Sequence, residues 1–165
     1  MKGAVMSKGE DKQVEQELEQ NNTRSRFANL YSTYGSEPSL ERIGVVIDYE
    51  LVNKETFSIK IKRAGARNQE WKIAYNRIMK PHAEEITDGK LSEHENKKLL
   101  AEVWAKTVVV GWSNLRDGEG NEVKFSKETC YELFCAFPDL LNEVISDSHL
   151  RSNFQHEEME ATAKN

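Results

Sequence analysis

The sequence predicts an α+β fold, mostly α, in which an N-terminal β-hairpin packs on a bundle of about four helices. Three observations carry that expectation. Phe57, Ile59 and Ile61 alternate with Ser58, Lys60 and Lys62, the period of a half-buried strand. From Trp71 onward apolar residues instead recur at helical spacing. Helix-capping residues (Asn68, Ser92, Ser126) and breakers (Asp88-Gly89, Pro138) divide that stretch into separate helices.

In chain order, residues 1–35 read as a flexible N-terminal arm. The first 26 are Gln- and Glu-rich, with too little apolar surface to offset the entropy of ordering. A short helix over Lys12–Gln20 suits its composition. Residues 36–155 read as one globular domain, and 156–165 as a frayed tail. Arg42–Tyr49 and Thr56–Lys62 are the expected strands, joined by Leu51–Glu55.

Asn68 is placed to cap the first strong helix, whose stripe is Trp71, Ala74, Tyr75, Ile78, Met79, His82 and Ile86. Pro81 should kink or divide it. Ser92 and Glu95 form a capping box for the next helix, expected to run to Gly111-Trp112. Its face is Leu99, Leu100, Val103, Trp104, Thr107, Val108 and Gly111, with Gly111 admitting another backbone. Arg116–Glu122 is a turn and Val123–Phe125 a short extended piece. Ser126 caps a third helix with Cys130, Leu133, Phe134 and Phe137 inward. Pro138 opens a fourth, carrying Leu141, Val144, Ile145 and Phe154.

Composition narrows the function. A net charge of −5 favours dispersion in water and argues against general nucleic-acid binding. No apolar run is long enough for a membrane span, and none near Met1 for a secretory signal, so a cytosolic protein is expected. Cys130 and Cys135, five residues apart, face different sides of one helix and read as reduced apolar fillers.

Chemistry-bearing patterns are incomplete. Counted as a calcium loop from Asp117, Glu119, Asn121, Val123 and Glu128 fall at ligand positions. The position that needs glycine is Glu122, and Lys124 stands where an apolar residue is usual, so no metal is expected. His82, His94, His149 and His156 form no zinc motif; His82 is expected packed inside and His94 in solvent. There is no phosphate loop and no nucleophile elbow. A non-enzyme without cofactor is expected.

Lys60, Lys62, Arg63, Arg67, Lys72, Arg77 and Lys80 concentrate positive charge around one acid, Glu70. They read as a solvated face, a dock for an acidic partner, or a phosphate-binding strand–helix unit, in that order. Of the three tryptophans, Trp71 and Trp104 are expected inside and Trp112 partly exposed as a contact.

The order Arg63-Ala64-Gly65…Asn68, Trp71, Tyr75, Pro81, Val109-Val110-Gly111-Trp112, Asp117-x-x-Gly120-Asn121, Phe125-Ser126 and Phe137-Pro138-Asp139-Leu140 resembles the tail assembly chaperones of long-tailed (siphovirus-type) bacteriophages. The resemblance covers about residues 40 to 155. His82-Ala83 stands after the proline where the family commonly has basic residues.

The resemblance implies a non-catalytic chaperone that keeps the tape measure protein soluble until the tail tube polymerises around it. Such a protein acts in the host cytoplasm during assembly and is absent from the mature virion. The partners it implies are the tape measure protein, a longer frameshifted form of this chain and tail tube subunits. It implies no membrane partner and leaves homo-oligomers open. The residues expected to meet a partner are Arg63, Arg67, Trp71, Trp112, Phe134 and Phe137. The alternatives are a structural or tail-completion protein retained in the virion and a small nucleic-acid-binding regulator.

Overall fold

The computed structural model describes residues 8–65 and 67–155. They divide into two compact units, residues 8–35 and Ser36–Gln155.

The first unit contains α1 (Lys8–Arg26) and α2 (Ala28–Tyr34). The short helix allowed by the sequence at Lys12–Gln20 thus lies inside a longer one. Acidic Glu10 and Asp11 in its first turn and basic Arg24 and Arg26 in its last complement the helix dipole. The guanidinium groups of Arg24 and Arg26 lie over the rings of Tyr31 and Phe27.

The second unit starts with α3 (Pro38–Ile43), which the sequence reading missed. Pro38 sits in its first turn and Gly44 ends it at φ +98°. A Cβ on Gly44 would stand 2.9 Å from the Ile61 carbonyl oxygen, so both conformation and space require glycine. Arg42 and Ile43 therefore belong to a helix end, and the first strand is shorter than expected: β1 is Val45–Glu50. It pairs antiparallel with β2 (Thr56–Ile61), matching Val45 to Ile61 and Tyr49 to Phe57. The hairpin is not N-terminal, since three helices precede it.

The predicted alternation on β2 holds, with Phe57, Ile59 and Ile61 buried. Asn68 caps α4 (Gln69–Met79), accepting from the Trp71 amide at 3.0 Å. Pro81 divides the helical stripe as expected. A 3₁₀ turn, Lys80–His82, separates α4 from α5 (Ala83–Thr87). His82 is not packed inside: its side chain is 37% exposed, and Nδ1 lies 3.2 Å from the Glu85 carboxylate. Ile86, at the end of the expected inner stripe, is exposed too. His94 is exposed, as expected.

The capping box of α6 (Glu93–Thr107) is present in both directions, at 3.2 Å and 3.1 Å. This helix stops at Thr107, short of the expected Gly111-Trp112. Residues Val109–Ser113 instead form β3, antiparallel to β2, with Ile59 opposite Trp112 and Lys60 opposite Gly111. Three successive β-branched valines favour the strand, and an open edge of β2 supplies the hydrogen bonds. Gly111 admits no neighbouring backbone: a Cβ there would meet nothing within 4 Å.

Ser126 caps α7 (Lys127–Ala136), accepting from the Thr129 amide at 3.0 Å. Pro138 opens α8 (Pro138–His149), and a 3₁₀ turn follows at Arg151–Phe154. Of the four long helices after the hairpin, α6 is central: α4, α7 and α8 all pack on it. The architecture is therefore mostly helical with a three-stranded antiparallel sheet in the order β1-β2-β3.

One core joins sheet and helices. Ile59, Ile61, Val103, Val108, Val109, Phe134, Leu141, Val144 and Phe154 are fully or almost fully buried in it. Each stabilises the fold by about 1.5–3 kcal/mol of burial, before entropy is counted. The Trp104 indole N–H donates to Ser148 Oγ at 2.9 Å within this core, locking α6 to α8.

Candidate interaction surface

Two surface features emerge from the residues that the sequence singles out, and they have opposite character.

The first is a charged joint between α3 and the β2–α4 connector. Glu41, 7% exposed, accepts a hydrogen bond from Ser36 Oγ and forms an ion pair with the Arg63 guanidinium. Arg67 approaches the same carboxylate at 3.4 Å. Burial raises the Glu41 carboxyl pKa, but the Ser36 hydrogen bond and the two guanidiniums outweigh it and hold the group below the ordinary carboxylate value. The backbone is tied here too. Arg63 N–H donates to the Glu41 carbonyl (3.3 Å), and Ala64 N–H to that of Ser148 (3.0 Å). Asn68 Nδ2 donates to the carbonyls of Arg63 and Thr107. Nearby, Lys62 lies 3.7 Å from Glu70. Lys62, Arg63 and Arg67 of the basic run are thus matched from within.

Trp71 joins an aromatic cluster beside this joint. It stacks on Tyr75 (4.8 Å) and meets Trp104 (5.7 Å) and His149 (6.0 Å) edge-on. Its indole nitrogen is buried with no hydrogen-bond partner. Burial and the Arg63 charge lower the His149 pKa.

The second feature is a groove of about 1190 Å³ between the hairpin end, the 114–118 loop and the α7–α8 junction. Trp112, Leu115, Leu133, Phe137 and Leu140 give it an apolar surface. Trp112 is half-buried, donates its indole N–H to the Val123 carbonyl (2.7 Å) and meets Phe125 edge-on at 5.0 Å. Phe137, expected inward, is 58% exposed. The reason is local: α7 ends at Ala136, and Phe137 takes φ −127°, ψ 75°, so it leaves the helical phase of Cys130 and Phe134.

Asp117 shapes one wall. Its Oδ1 accepts from the Asn121 and Glu119 amides, each at 2.9 Å, closing a turn. These bonds, led by the Asn121 amide, hold its carboxyl below the ordinary value. Asp117, Glu119 and Asn121 of the calcium pattern serve this turn, Glu128 lies on α7, and among the described residues no three His, Cys, Asp or Glu side chains are grouped to hold a metal. Burial pushes the Cys130 thiol up to about 12, which makes it a packing residue.

The structure therefore brings Trp112 and Phe137 together at one groove, and Arg63, Arg67 and Trp71 at the joint and its aromatic neighbour. Phe134 belongs to neither surface, being 1% exposed in the core. Sequence reasoning missed Glu41, whose pairing with Arg63 crosses 22 residues, and the groove walls at Tyr49, Phe57 and Leu140. A carboxylate on the first turn after Pro38 was the available signal for the former.

Fold and groove together define a small helix-rich α+β scaffold with an open, partly apolar groove. The model of the YdaY prophage protein family matches residues 66–165, and the chain belongs to that family. It is thus a phage-derived protein. Neither a curated protein nor a solved structure matches it. The family match begins after β2, so it takes in α4 through α8 and β3 but not the hairpin. The groove draws its walls from both parts. No helix among the described residues is long and apolar enough to cross a membrane.

Proposed function

We propose that this protein is a non-catalytic tail assembly chaperone, which covers an apolar stripe of the tape measure protein until tail tube subunits replace it. The observation that carries the reading is the open groove with exposed Phe137 beside half-buried Trp112. Large aromatic surface left in water beside a concave apolar wall suits capture of an amphipathic helix. The partner's identity rests on the resemblance of the motif order to that of tail assembly chaperones, and membership of a prophage family is compatible with it. A net charge of −5 would keep the complex dispersed. Release by competing tube subunits needs no nucleotide. The protein then works in the host cytoplasm and leaves before the particle is complete.

Co-expression with the tape measure protein of the same phage tests this. A soluble partner that co-elutes on size exclusion is the expected result. A partner insoluble both alone and together would overturn the reading for this chain acting by itself. Detection at stoichiometric amounts in purified particles would favour the retained structural protein instead.

A further inference from the structure

We infer that the groove takes a basic amphipathic helix, one with cationic side chains flanking an apolar stripe. This deepens the chaperone reading and rests on it for the partner's identity, but not for its chemistry.

The lining holds five carboxylates (Glu50, Glu55, Asp117, Asp139 and Glu143) against two cations, Lys54 and Arg116. The lining therefore keeps a net excess of three carboxylates over cations (five against two). Lys54 Nζ is 2.7 Å from the Glu50 carboxylate, and Arg116 Nη1 donates to the Gly120 carbonyl at 3.0 Å. Among the described residues, no cation pairs with Glu55, Asp139 or Glu143. The turn amides stabilise Asp117 in its charged form. The carboxylates stand on the hairpin side, on the 114–118 loop and on α8, so the negative field surrounds the apolar surface on several sides.

Size and charge select the occupant. At about 1190 Å³, the groove exceeds the roughly 300–1,000 Å³ usual for small-molecule clefts. A helix presenting apolar residues at i, i+3 and i+4 would cover Leu133, Phe137 and Leu140, and cations on its flanks would meet the free carboxylates. A second copy of this chain is a poor match, because each copy carries a net charge of −5.

Fluorescence anisotropy with the full chain tests the inference. Two labelled helical peptides of equal length share a leucine stripe; the remaining positions are Lys in one and Glu in the other. The Lys peptide is expected to bind about tenfold or more tighter at low salt, with the gap narrowing as salt rises. The double variant Asp139→Lys/Glu143→Lys should lose that preference, as should Glu55→Lys on the opposite wall. Phe137→Ser should weaken the Lys peptide, with circular dichroism unchanged. Equal binding, preference for the Glu peptide, or no binding of either would overturn the inference. So would a preference untouched by both charge reversals. Preference for the Lys peptide without co-solubility of the tape measure protein would uphold the groove's chemistry and sink the chaperone reading. Co-solubility without the preference would do the reverse.

Discussion

The joint at Glu41 and the groove at Phe137 handle charge in opposite ways. At the joint, one nearly buried carboxylate is answered by a hydroxyl and two guanidiniums from the same chain. At the groove, carboxylates outnumber cations, and the cations are already tied. Charge satisfied from within holds elements together; charge left open around apolar surface is available to another molecule. Two residues of the basic run, Arg63 and Arg67, thus belong to a structural joint. The acidic turn, which looked like a failed metal loop, borders the more open surface.

Four substitutions and a pH series test that contrast. The largest effect is expected at neither surface. Phe134→Ala should lower stability by about 3–5 kcal/mol through a core cavity, read from the urea midpoint. An unchanged midpoint would mean that Phe134 is not the core residue described.

Next comes Glu41→Ala, which should cost about 2 kcal/mol. The value lies below that for a fully buried pair, because Arg67 is well exposed and Arg63 partly so. Peptide or partner binding at the groove should stay intact. Lost binding in a folded variant would move the contact surface to the joint.

Phe137→Ala should alter stability by no more than about 0.5 kcal/mol and still weaken partner binding. Trp112→Ala should affect both, since it also removes the bond to the Val123 carbonyl and the Phe125 contact. Equal stability losses in the two variants would erase the distinction between an exposed anchor and a supporting wall.

The smallest effect is pH dependence at the joint. His149 has a lowered folded-state pKa, so its contribution to stability is full above its ordinary value of 6.5. That contribution is lost as pH falls from there through the folded value. Glu41 is also depressed, and its contribution is lost only below the ordinary 4.5. Denaturation followed from pH 8 to 5 should therefore show a decline in the wild type that His149→Gln reduces. Identical profiles would remove His149 as the cause.

Much of the secondary structure was legible because its signals are local. Asn68, Ser92 and Ser126 each satisfy an amide three residues away, and Pro81 cannot donate a helical hydrogen bond wherever the chain folds. The alternation on β2 likewise names its buried face without reference to a partner. What failed were inferences that extended a local period too far. Val109 to Trp112 continues the helical apolar pattern, yet an unpaired edge of β2 claims it as a strand. Phe137 continues the α7 stripe, yet it lies one residue past the end of that helix. Arg63 and Arg67 read as surface charge because Glu41, far away in sequence, gives no local sign of its approach.

Where helices start, which strand face is apolar and that the chain carries net negative charge follow from neighbours within a few residues or from composition alone. Which charges pair, which aromatic stays in water and that Val109–Ser113 completes the sheet emerge on folding. These depend on contacts between distant segments, where burial and pairing energies override the local pattern.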